Sequence, residues 1–242
     1  MWCSGCSFVA VTIKTMQSRN FAPARRPGFL WMVWILVGGC LPVWAQEGPP
    51  KVPIPVEVMA GHDRLFFQMV VKKKFTPESR FGFLSVSAFS TAYDNNSDDL
   101  DIALPVLVNY TFYKGFAVVA GATVNNKVGV GPQVGVQHSF ANKEWVAVTI
   151  ATLFLNEKRN AEIFGIYEYK PALSAKVNLY TRLQLLYAHS TSEDTHARSF
   201  LQLRAGLKMN ALNFGLGANL DQYGPDKTYK PNYGIFVGWS FL

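Results

Sequence analysis

Residues 174–221 read SAKVNLYTRLQLLYAHSTSEDTHARSFLQLRAGLKMNALNFGLGANLD, and this stretch decides the fold. Lys176, Asn178, Tyr180, Arg182 and Gln184 alternate with Val177, Leu179, Thr181, Leu183, Leu185 and Tyr187. One set is polar or charged and the other almost wholly apolar. A period of two puts the sets on opposite faces of a strand, and the contrast means that the faces meet different surroundings. The pattern returns at once. Gln202, Arg204, Gly206 and Lys208 alternate with Leu201, Leu203, Ala205, Leu207 and Met209. Asn213, Gly215, Gly217, Asn219 and Asp221 then alternate with Leu212, Phe214, Leu216, Ala218 and Leu220.

Outward from this stretch the chain continues in the same mode. Residues 64–75, 81–93, 102–112, 116–124, 128–137, 145–155, 161–170 and 232–242 read as strands, and 56–60 as a short first one. No useful helical period appears after residue 45. The expected fold is all-β: an antiparallel up-and-down transmembrane barrel of about twelve strands. Ten strands, with one hairpin folded elsewhere, is the alternative. Eleven strands are clear, and an even number, needed to leave both termini on one side, requires the short segment at 56–60.

The first 45 residues are of another kind. Arg19, Arg25 and Arg26 precede the apolar run Phe29 to Val37, and Val43-Trp44-Ala45 forms a small-residue cleavage site. This predicts a secretory signal peptide over 1–45. The competing transmembrane anchor is interrupted by Gly38, Gly39 and Pro42 and falls short of about 20 spanning residues. Cys40 after Val37-Gly-Gly resembles a lipoprotein signal only loosely. Met16 is a second candidate start. Residues 46–55, QEGPPKVPIP, read as an extended Pro-rich lead-in, and the barrel is expected over 56–242.

Cleavage would remove Lys14, Arg19, Arg25 and Arg26 and lower the formal charge from +7 to +3. All three cysteines leave as well. An exported chain without disulfides suits a closed barrel better than a small stapled domain. No zinc spacing or recognition helix supports nucleic-acid binding. No metal or other cofactor is expected, because the four histidines are scattered. The acidic run 94–99 lacks the Gly and distal Glu of a calcium loop.

A lipocalin shares the period with its apolar face inward. Three features favour a membrane barrel instead. The strand number exceeds eight. The polar faces mix Gly with long charged side chains. Aromatic residues gather at strand ends: Phe81, Phe112, Phe116, Phe140, Trp145, Tyr169, Trp239 and Phe241 toward one rim, and Tyr93, Tyr187 and Tyr233 toward the other. Connections near the carboxyl terminus also alternate, with 222–231 and 189–196 read as long and 210–211 as short, as in outer-membrane barrels, whose turns are short on the side of the chain termini.

The chain thus resembles the small outer-membrane β-barrel proteins of Gram-negative bacteria. Its final segment, from Asn232 through Trp239-Ser-Phe241 to Leu242, looks like the terminal-strand signal read by the barrel-assembly machinery, although it ends on Leu242 after Phe241. The resemblance implies an outer-membrane location, with membrane lipid and that machinery as partners.

Function is read from the inward charges. Lys72, Lys74, Lys176, Arg182, Arg204 and Lys208, with Gln184 among them, are expected in the lumen, facing the acids Glu162, Glu168 and Asp221. The leading expectation is a narrow channel or solute-binding barrel with a basic lumen, taking a small anionic solute. The alternative is a non-conducting structural or interaction protein whose lumen is filled by ion pairs. A lipid-modifying enzyme ranks third. The relevant outer-membrane families use His and Ser two residues apart, whereas His138-Ser139 and His189-Ser190 are adjacent, and His62 and His196 have no Ser at that spacing. No enzymatic activity is therefore expected.

Overall fold

The computed structural model of the protein describes residues 52–94, 99–126, 129–157 and 159–242. The signal segment 1–45, much of the lead-in, and most of the acidic run 94–99 lie outside them. Twelve strands form: β1 (Ile54–Gly61), β2 (Arg64–Lys74), β3 (Phe81–Ala92), β4 (Asp101–Tyr113), β5 (Phe116–Asn125), β6 (Gly129–Ala141), β7 (Trp145–Phe154), β8 (Asn160–Tyr169), β9 (Asn178–Ser190), β10 (Thr195–Met209), β11 (Leu212–Tyr223) and β12 (Thr228–Phe241). Each pairs with its neighbours in sequence, and β1 pairs with β12, so the sheet closes. All pairings are antiparallel, and Ile54 opposite Phe241 brings both ends of the sheet to one rim, the terminal rim. Closure leaves no strand edge unpaired.

The twelfth strand, weak as a sequence pattern, is where the barrel seals. β1 takes eight residues of β12 on one side and five of β2 on the other. It starts at Ile54, within the Pro-rich stretch, because Pro53 and Pro55 stand at its outer end, where ladder donors are dispensable. Local turn chemistry fixes the tightest hairpin. Lys114 and Gly115 both adopt positive φ (34° and 86°), the requirement of a two-residue turn that matches strand twist.

Two expectations about connections change. Residues 191–194 and 224–227 are short turns, because β9 and β10 stay paired to Ser190 and Thr195, and β11 and β12 to Tyr223 and Thr228. The longest described connection at the terminal rim is 170–177, where sequence reading expected only short turns.

The polarity is inverted relative to a soluble protein. Leu216, Val130 and Ile235 are more than 60% exposed on the outer face, while Gln68, Gln184 and Asn232 are almost fully buried inside. Apolar side chains outside and amides inside suit a barrel whose exterior solvent is hydrocarbon. Aromatic residues form two exterior girdles. Trp145 stacks on Tyr169 at 4.3 Å near the terminal rim, with Phe112, Trp239 and Phe241 also exposed there. Tyr93, Tyr187 and Tyr233 are exposed toward the other rim, and Tyr93 donates to the Gly61 carbonyl at 2.9 Å.

Candidate functional site

Strand register sorts the inward side chains. Alternation from Glu57 through every cross-strand partner places Arg64, Lys72, Lys74, Arg182, Arg198, Arg204, Lys208 and Lys230 inside, against Glu57, Asp101, Glu162, Glu168 and Asp221. Among the described strand residues more cations than carboxylates point inward, but they are distributed unevenly.

Side chains cross the barrel near its middle. Glu57 reaches from β1 to β9 and β10. Its Oε1 accepts from Arg182 Nη2 at 2.7 Å and from Arg204 Nε at 2.8 Å. The three side chains are 4%, 6% and 0% exposed. Arg204 also donates to Asn219 Oδ1 at 2.8 Å and lies over the rings of Phe66 and Phe236. Gly217, opposite Arg204, leaves room for this: a Cβ there would come within 3.2 Å of the Arg204 side chain. A second strut joins opposite walls, with Gln68 Nε2 donating to Gln184 Oε1 at 3.0 Å. Beside the struts, Leu84, Leu107, Val119, Val148, Ile150 and Ile166 pack as an apolar cluster within the barrel. Together these groups make a floor.

Above the floor lies a cavity of about 270 Å³ reaching the rim opposite the chain termini. Its walls are largely apolar, with Phe66, Phe154, Phe164, Phe200, Leu186 and Ile150 prominent. Its charged lining is Asp101, Glu162, Arg198 and Asp221. Arg198 spans the barrel to β4, with Nη2 at 2.6 Å from Asp101 and 3.6 Å from Asp221. Tyr223 donates to the same Asp101 at 3.0 Å. Arg64 closes the chain of charges at 3.4 Å from Asp221. Its backbone is fixed by Asn232, whose amide oxygen accepts from the Asp63 and Arg64 N–H groups at 3.2 Å.

The terminal rim is different. Lys72, Lys74 and Lys208 have no carboxylate within ion-pair distance among the described residues. Glu168 lies there too, but pairs with Lys170 at 2.6 Å. Lys176 corrects the sequence reading. It is exposed in the 170–177 connection outside the lumen, because β9 begins only at Asn178. Sequence reasoning also missed Glu57, Arg64, Asp101 and Arg198. Arg64 was visible as a polar alternant. Glu57 sat in the weakest strand, and Asp101 preceded the strand as read. A bulge between His196 and Arg198 hid the phase of Arg198.

The same bulge changes what His196 can reach. His196 Nε2 lies 3.1 Å from Ser199 Oγ, three residues on, and Nδ1 lies 2.7 Å from the Gly224 carbonyl. The histidine is only 7% exposed and the serine also reaches Gln222, so the contact ties the start of β10 to the 224–227 turn. His138 and His189 have the outward phase of β6 and β9 and do not meet. Among the described residues no group of three metal-ligating side chains converges.

A closed twelve-stranded barrel with an apolar exterior, two aromatic girdles and a polar interior defines the class: this is a β-barrel of the bacterial outer membrane. No known protein family matches the sequence, and no curated protein does. Solved structures are similar in shape. The KdgM porin in complex with disordered oligogalacturonate has 12% identity and a TM-score of 0.47, with 79% of this chain and all of that one covered. The NanC porin has 10% identity and a TM-score of 0.46 over the same shares. Pseudomonas aeruginosa OpdK with vanillate has 9% identity and a TM-score of 0.37, covering 71% of this chain and 67% of that one. Likeness at this level transfers no solute to the present barrel.

Proposed function

We propose that this protein is a solute-binding barrel of the outer membrane, which takes a small solute with a largely apolar body into a vestibule facing the cell exterior. The observation that carries the reading is the cavity itself. It is walled by phenylalanine and aliphatic side chains, floored by the Gln68–Gln184 strut, and reaches the rim that faces outward when the chain termini are periplasmic. Its volume stands near the lower end of small-molecule sites, which begin at about 300 Å³. An apolar cavity with a few convergent polar groups is the common form of such a site.

Ala188 lines this cavity and is 4% exposed. Filling the space with Ala188→Trp is the direct test. The wild-type barrel in nanodiscs should bind small aromatic probes in calorimetric titration, and the filled barrel should not. Equal binding by both would reject the vestibule as the site.

A narrow channel is the second reading, and one observation favours it. Two guanidiniums share one carboxylate oxygen at the floor, so the strut carries a formal excess of one positive charge. Arg182 Nε and Arg204 Nη2 are buried there with no partner. If the floor parts, the opening would be basic and would prefer anions. Reversal potentials across planar bilayers test this, and a cation preference would reject it.

A further inference from the structure

One acidic side chain of the vestibule stands apart from the others. Glu162 projects from β8 into the cavity, and among the described residues its carboxylate has neither an ion pair nor a hydrogen bond. Arg198 acts on it electrostatically, but Asp101 holds that guanidinium at 2.6 Å. The directly facing positions supply no counter-charge, since Glu162 is opposite Thr152 on β7 and Ala188 on β9.

Charge balance shows what is left over. Arg198 and Arg64 offset Asp101 and Asp221, with which they pair. Glu162 remains, a carboxyl group without a counter-charge once it ionises, in a cavity lined mostly by hydrocarbon. A buried carboxylate is costly unless it is paired, so this part of the wall is complementary to a ligand that brings a positively charged N–H donor. Phe154 and Phe164 in the lining supply aromatic surface for an apolar body and a cation, whereas the Phe200 ring already carries Arg198.

We infer that the vestibule takes a small amphipathic ammonium compound, a protonated amine on an aromatic or aliphatic body, with Glu162 as its counter-ion. The inference rests on the proposed solute-binding vestibule and names the ligand class for it. It also reverses the charge expected of the solute from sequence alone. The cations counted there belong to the floor and the terminal rim, whereas the cavity has its own balance. A carboxylate ligand would instead face Glu162 with like charge.

The test uses the barrel in nanodiscs at about pH 8.5, where Glu162 is ionised and a primary amine is still protonated, and three probes of one shape: 2-phenylethylammonium, 2-phenylethanol and phenylacetate. The wild type should bind the ammonium at least about tenfold more tightly than the alcohol, the ratio expected of one charge-assisted hydrogen bond, and phenylacetate most weakly. Glu162→Gln should lower ammonium affinity to that of the alcohol and leave the alcohol unchanged. Heat-dependent gel mobility verifies that the variant is folded. If the wild type holds alcohol and ammonium equally, or Glu162→Gln keeps the preference, the ammonium inference is wrong and the vestibule stands. If no probe binds, or if Ala188→Trp binds all three as the wild type does, the vestibule reading fails and the inference with it.

Discussion

Replacing Glu57 by Gln removes the one charge that two buried arginines share. Arg182 and Arg204 are directly cross-strand, with their guanidiniums at 2.7 and 2.8 Å from the same oxygen. Neither can turn to water, since both side chains are at most 6% exposed. Breaking a buried pair by deleting one partner costs about 3–5 kcal/mol, because the surviving charge stays desolvated. Here two cations survive, side by side, so the upper half of that range is expected. Arg182→Met should cost clearly less, because Glu57 keeps Arg204 as its partner. Replacing all three by apolar residues of similar volume should bring stability back close to the wild type. Equilibrium urea unfolding of the barrel refolded in lipid vesicles measures all three variants. A loss below about 1 kcal/mol for Glu57→Gln, the value of an exposed pair, would mean that the floor is wet and that the strut does not seal the lumen.

Further outcomes follow from the same geometry. Arg at Leu216, 69% exposed on the outer face, should cost about 2–4 kcal/mol if it lies near the bilayer midplane, and Arg at the inward Asn178 clearly less, by the same unfolding assay; equal penalties would invert the faces. Glu57→Ala should raise single-channel conductance above that of the wild type, because the variant loses the strut; an unchanged trace would place the block elsewhere. Asp101→Asn should leave the Arg198 guanidinium with Asp221 as its remaining carboxylate and quicken probe entry into the vestibule in stopped-flow mixing; unchanged entry rates would show that the rung does not guard the mouth.

The sequence by itself led to about twelve strands with ten as the alternative, and the pairing of β1 with β12 decides for twelve. The sequence did determine the strand period and which residues share a face, and both follow from neighbours along one strand, where alternation is enforced by backbone geometry. Arg182, Gln184, Arg204 and Asp221 could be placed inside on that ground alone. It did not determine what they meet. Glu57 is 125 residues from Arg182, and their contact exists only because closure brings β1 round to face β9. Lys176 continued the alternation on paper, but the ladder stops at Asn178, which no local pattern marks. The presence of charged residues on the inward faces was likewise legible, while their division among a basic rim, a floor with shared charge and a vestibule with a spare carboxylate was not. That division depends on which side chains span the barrel, and only the closed tertiary structure decides which can reach.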